Sequence, residues 1–245
     1  MIRIGIGGWT FAPWRGSFYP EGLAQKRELE YASRKLSSIE INGTFYGAQK
    51  PESFIKWHDE TPDDFVFAVK GPGFVSNRKL LAETGEAIER FFASGVMELK
   101  DKLGPIEWQF MPGKKYDPED FAAFLALLPK ERDGRKLRHA VEVRNESFVR
   151  DEVYAAAGQH KVAIVVAGDS KYPLIDRPTA DFVYARIMGT KAEEPLGYSS
   201  AALDAWAAKA RQWAAGGKDV FLYVISGAKE RNPGAAMALI ERLTS

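Results

Sequence analysis

The chain has 245 residues, 45% hydrophobic and 27% charged, which suits one large α/β domain better than two small ones. A formal net charge of +1 leaves no whole-surface field to draw nucleic acid or an anionic membrane, and the absence of cysteine excludes disulfides, a thiolate nucleophile and cysteine-held metal. No apolar run approaches the ~20 residues of a membrane helix, MIRIGIGGWTF does not read as a signal peptide, and a cytoplasmic protein without membrane association is expected.

Arg3 to Gly8 reads as a first strand, with Ile2, Ile4 and Ile6 on one parity and Arg3, Gly5 and Gly7 on the other. Trp9 to Pro20 is an aromatic loop, and a helix is expected from about Leu23 to Leu36. In SSIEINGTFY, Ser38, Glu40 and Asn42 alternate with Ile39 and Ile41, placing a carboxylate and an amide on one face of a second strand. Pro51 starts a helix to about Glu60. Phe65 to Lys70 is a third strand, followed by a helix from about Glu86 to Lys100. Ile106 to Phe110 is a fourth strand, with Glu107 and Gln109 opposite Ile106, Trp108 and Phe110.

Asp117-Pro118-Glu119 opens a helix to about Leu128. Leu137 to Arg144 is a fifth strand, with Glu142 and Arg144 opposite Val141 and Val143, and a helix from Asp151 to about His160 follows. The continuous apolar run Val162 to Ala167 fits a strand covered on both faces, with Asp169 just beyond it. Phe182 to Ile187, a helix from Ser199 to Ala215, Val220 to Ile225 and a helix from Gly234 to Leu243 complete the pattern. Strands alternating with helices predict a single TIM-like (β/α)8 barrel domain over residues 1–245, with a short or missing helix between strands six and seven. A doubly wound open sheet is the alternative; no GxGxxG motif opens the first crossover.

In such a barrel the C-terminal strand ends carry the active site. Glu40, Asn42, Lys70, Gln109, Glu142, Arg144, Asp169 and Arg186 fall there, while the opposite parity is Ile, Val, Phe and Trp. Lys70, Arg144 and Arg186 suit a phosphate or carboxylate, and Glu40, Glu142 and Asp169 suit acid–base work or a hard cation. The bland alternative is that these groups neutralise one another as structural pairs. In the aromatic loop, Trp9 is placed to stack on a ligand and Arg15 to touch an anion, although self-packing of the loop is the commoner outcome. With only His58, His139 and His160 available, a multi-histidine metal site is not expected, and no metal ligands are assigned.

The ordered segments GGWTFAPWRGSFYP, SSIEINGTFYG, FVFAVK, KLGPIEWQF, VEVRNESF and FVYARIMG resemble the domain-of-unknown-function 72 family, also called YecE-like. The resemblance implies a TIM-barrel-like fold without an established activity. It also implies that Trp9, Tyr19, Glu40, Asn42, Thr44, Tyr46, Lys70, Gln109, Glu142, Arg144, Asp169 and Arg186 stand at recurring motif positions. The chain departs from the family pattern at Ser76-Asn77, at Asn145 within Arg144-Asn145-Glu146-Ser147-Phe148, at Met188 before Gly189 and at Ser226-Gly227, losing imidazoles from the expected rim.

The expected function is an enzyme acting on an anionic small molecule. Glu40, Glu142 and Asp169 are its candidate catalytic groups, and Asn42, Thr44, Tyr46, Lys70, Gln109, Arg144, Arg186, Trp9 and Arg15 line its binding site. A metal-dependent hydrolase or nuclease-like barrel using Glu40, Glu142 and Asp169 is one alternative, and a non-catalytic binding protein is another. The sequence specifies no cofactor and no oligomeric state.

Overall fold

The alternation in the sequence becomes a ring of parallel strands in the computed structural model, which describes residues 1–244. The strands are β1 (Ile2–Gly7), β2 (Ser38–Ile41), β3 (Val66–Lys70), β4 (Leu103–Gln109), β5 (His139–Glu142), β6 (in two pieces, Ala163–Ile164 and Val166–Gly168), β7 (Phe182–Ile187) and β8 (Asp219–Val224). Each pairs with its sequence neighbours, and β1 pairs with β8 from Ile2↔Val220 to Ile6↔Val224. The first piece of β6 lies on β5 and the second on β7. Val165 between them donates its N–H to the Val141 carbonyl at 3.0 Å, so the ring closes across that single residue.

The helices on the outside are α1 (Glu28–Ser33), α2 (Pro51–Glu60), α3 (Gly85–Ala93), α4 (Pro118–Leu127), α5 (Asp151–His160), α6 (Ser200–Ala214) and α7 (Asn232–Thr244). Local chemistry fixes their starts. Pro51 and Pro118 occupy the first turn, where a missing N–H costs nothing. Asp117 caps α4 by accepting from the Glu119 and Asp120 amides at 3.0 Å, and Ser199 caps α6 through the Ala202 amide. As expected, no helix forms between β6 and β7.

Several boundaries differ from the sequence reading, three of them for a clear local reason. The first helix is short because a 3-10 turn, Gln25–Arg27, precedes α1. α3 stops at Ala93 instead of running to Lys100, since Gly95 takes a left-handed φ of 102° and a 3-10 segment, Val96–Lys102, follows. Before β5, Asp133 and Gly134 with φ of 50° and 72° turn a small hairpin between Glu131–Arg132 and Arg135–Lys136, so β5 begins at His139 rather than Leu137.

Two apolar regions result. One lies between strands and helices and takes the Ile, Val, Phe and Trp parity, including Ile4, Ile39, Phe67, Trp108 and Leu222. The other fills the lower barrel interior with Ala68, Ala140, Ala163, Val165, Phe182, Tyr184, Phe221 and Tyr223. Large rings there face small residues. A Cβ on Gly5 would stand 2.0 Å from the Ser38 carbonyl oxygen and 3.3 Å from the Tyr223 ring, so only glycine fits.

Candidate functional site

One layer above those rings, the inward positions become charged. Arg186, next to last in β7, donates from Nη2 to Glu40 Oε1 at 3.1 Å and from Nη1 to Glu142 Oε2. Its Nε stands 3.1 Å from Glu40 Oε2, which also accepts the Tyr184 hydroxyl at 2.6 Å. Arg144, two residues past the end of β5, donates to Glu142 Oε1 and lies 4.2 Å from the centre of the Tyr172 ring. Lys70, last in β3, donates to Gln109 Oε1 at 3.0 Å, and Gln109 Nε2 donates to Glu142 Oε1 at 3.2 Å. The Gln109 amide is thereby oriented: its nitrogen must face a carboxylate and its oxygen an ammonium.

Above this network opens a cavity of about 640 Å³. Its wall includes Lys70, Arg144, Arg186 and Lys229, together with Gln109, Asn42, Asn232, Trp9, Tyr46 and Trp57. Among the described residues no carboxylate lines it. Glu40 and Glu142 are 0% exposed, beneath the arginines they hold. The wall is therefore cationic although the cluster as a whole is mixed. Gly7 leaves room at the edge of this layer, because a Cβ there would stand 2.8 Å from Asn42 Nδ2 and 3.0 Å from Ile225.

The electrostatics follow from burial and pairing. Glu142 is held below the usual carboxylate range because Arg186 and Arg144 outweigh the opposing cost of its burial. Burial pushes Lys70 down, and neighbouring Arg186 adds to the effect, while Glu107 opposes it. Glu107, the register partner of Lys70 on β4, is fully buried with neither carboxylate oxygen hydrogen-bonded, and desolvation raises it to about 8. Burial thus favours its neutral form, directly under the cationic wall.

Most of the sequence-predicted residues meet here: Glu40, Glu142, Gln109, Lys70, Arg144 and Arg186 form the network, and Trp9, Asn42 and Tyr46 reach the wall. Three do not. Asp169, at a left-handed φ of 49°, turns away to accept the Trp206 indole N–H at 2.9 Å and does not line the cavity. Arg15 pairs with buried Glu28 at 2.7 Å inside the aromatic loop. Thr44 uses its hydroxyl on the Ile41 and Lys70 carbonyls at 3.2 and 2.6 Å, tying the loop after β2 to the end of β3. The aromatic loop packs on itself, with Trp14 among Phe11, Phe18 and Tyr19, and of its rings only Trp9 reaches the cavity, edge-on to Trp57 at 5.1 Å.

Glu107, Trp57, Tyr172, Lys229 and Asn232 were not anticipated. Lys229 and Asn232 follow β8 at the C-terminal end, so position alone could have nominated them. His139 faces the helices instead, bonded to the Trp108 indole and the Pro129 carbonyl, and lies outside the network. Asp169 does not join Glu40 and Glu142, and among the described residues no group of three or more His, Cys, Asp or Glu could hold a metal ion. No helix among them is long and apolar enough to cross a membrane.

Comparison with known proteins agrees with this architecture. The curated YunF protein of Bacillus subtilis (strain 168) is 36% identical over 159 residues, covering 63% of this chain and 54% of that protein. YecE of Escherichia coli (strain K12) is 29% identical over 151 residues, 60% of this chain and 50% of that one, so the matched region spans about half of each curated relative. Among solved structures, a DUF72 family protein from Thermotoga maritima superposes with a TM-score of 0.80 at 24% identity over 100% of both chains. Another, from Enterococcus faecalis, gives 0.77 at 18% identity, covering 100% of this chain and 98% of that one. At those identities the structures bear on the fold alone. The family described as "Protein of unknown function DUF72" matches residues 3–245, and the chain belongs to that family.

Proposed function

We propose that the protein is an enzyme acting on an anionic small molecule, phosphorylated or carboxylated, bound at the C-terminal mouth of the barrel. The observation that carries this reading is the cavity wall, which Lys70, Arg144, Arg186 and Lys229 line and, among the described residues, no carboxylate does. Arginine supplies a planar fork that matches carboxylate or phosphate, and lysine supplies a compact charge. Glu40 and Glu142 are positioning residues on this reading: from beneath they fix the guanidinium planes. Glu40 and Glu142 are taken up by arginines and Asp169 stands apart on Trp206, which disfavours a metal-dependent hydrolase using the three. The cysteine-free composition accords with a cytoplasmic setting.

Thermal unfolding in the presence of inorganic phosphate, and of a panel of phosphorylated and carboxylated compounds, tests the proposal. Wild-type protein should be stabilised, with the shift lost in Arg144→Ala and partly kept in Arg144→Lys. Equal shifts in wild type and Arg144→Ala refute the assignment. A compound that stabilises the protein yet returns chemically unchanged identifies a binding protein instead of an enzyme.

A further inference from the structure

Lys70 differs from the other cations of the wall in what surrounds it. Arg186 and Arg144 are held by buried carboxylates, whereas among the described residues no carboxylate oxygen lies within ion-pair distance of Lys70 Nζ. Its one hydrogen-bond partner is the neutral Gln109 Oε1 at 3.0 Å, and the Phe45 ring covers it with its centre 4.5 Å away. The residue is 5% exposed, yet it belongs to the cavity wall. Lys229, by contrast, sits at the edge of the mouth, stacked over Phe11 at 4.3 Å.

A primary amine that is desolvated and flanked by another cation is the arrangement that turns lysine into a nucleophile toward carbonyl carbon. Burial, the largest influence, and Arg186 both favour the neutral amine of Lys70; Glu107, Glu40 and Glu142 oppose them, and burial pushes Glu107, the largest of the three, toward its own neutral form. The Phe45 face favours the ammonium form and works against burial and Arg186.

We infer that Lys70 forms an imine with a carbonyl compound whose phosphate or carboxylate is held by Arg144 and Arg186. The inference rests on the anion-binding reading above and adds to it the substrate class, an aldehyde or ketone bearing an anionic group. The amine lone pair makes the C–N bond as the carbonyl π bond breaks, and one amine proton passes to oxygen. The resulting carbinolamine then loses water, which carries away the second amine proton, and a C=N bond remains. Gln109 is a positioning residue, because its oxygen fixes Nζ and its nitrogen is anchored on Glu142.

Incubation of the full chain with glyoxylate and sodium cyanoborohydride, followed by peptide mapping, reads the imine as a reduced adduct. The expected result is labelling of Lys70 ahead of exposed lysines such as Lys191. The label at that peptide should be lost in Lys70→Arg, which keeps the charge but cannot form the adduct. A cooperative thermal unfolding transition in Lys70→Arg, with the labelling of exposed lysines unchanged, shows that the variant is folded. Uncharged propionaldehyde separates the two ideas. If it labels Lys70 as fast as glyoxylate does, the nucleophile stands and the anion site falls. If phosphate stabilises the protein while Lys70 stays unlabelled, or Lys229 is labelled in its place, the nucleophile falls and the anion site stands.

Discussion

At the bottom of the barrel, Phe182 and Phe221 meet edge to face with centroids 6.1 Å apart, and the Tyr223 and Ser38 hydroxyls share a 2.7 Å hydrogen bond. A layer higher, on the same inward parity, Glu40, Lys70, Glu107, Glu142 and Arg186 project from β2, β3, β4, β5 and β7, with Arg144 just past β5, and Glu107 is left without a hydrogen-bond partner. Both layers obey one alternation. They differ in what burial does to them: the lower layer gains from leaving water, while the upper layer holds charges whose desolvation must be offset group by group. A fold that needed only stability would continue the rings upward. The upper layer is the place where the barrel concedes stability, and buried ionisable clusters of that kind mark functional sites.

The largest expected effect comes from breaking the upper layer at its centre. Arg186→Met leaves Glu40 and Glu142 buried without their shared cation and should cost about 3–5 kcal/mol in urea unfolding. A loss below about 1 kcal/mol would mean the carboxylates are neutralised by something else. Next is Glu107. A carboxyl that ionises near 4.5 when unfolded and near 8 when folded makes the unfolded chain the poorer proton binder between those values. Stability contributed by the neutral acid is therefore complete below 4.5 and falls as pH rises through that window, by an amount on the order of a few kcal/mol. Glu107→Gln should flatten the decline and exceed wild type at pH 8 and above; parallel curves for the two proteins would contradict this. The smallest effect belongs to the lower layer. Phe221→Leu should cost about 1–1.5 kcal/mol, as a moderate loss of core volume does, and leave stabilisation by phosphate unchanged. If phosphate binding weakens as well, the two layers are not independent.

The barrel itself was legible because buried strands of β2, β3, β5 and β7 carry their outward and inward residues on opposite parities. Convergence of Glu40, Lys70, Gln109, Glu142 and Arg186 followed from that parity alone. Depth did not. Glu107 and Gln109 share a face, and only the register that sets Glu107 beside Lys70 and Gln109 beside Glu142 shows which one is sealed and which reaches the cavity. Parity also stops at the strand ends. Asp169 lies one residue beyond β6 and is turned aside by its left-handed backbone, while Arg15 is claimed by Glu28 from the following helix. The same blindness to depth made Glu40 and Glu142 look like groups facing a ligand, when the arginines stand between them and the cavity.

The central claim is that the mouth of this barrel presents cations, with its carboxylates underneath. Diffraction from crystals soaked in tungstate, a heavy tetrahedral dianion, tests it directly through anomalous density. The account predicts a peak in the cavity among Lys70, Arg144 and Arg186, absent from crystals of Arg144→Ala. A cavity that excludes tungstate, or that takes up a divalent cation on Glu40 and Glu142 instead, would contradict it.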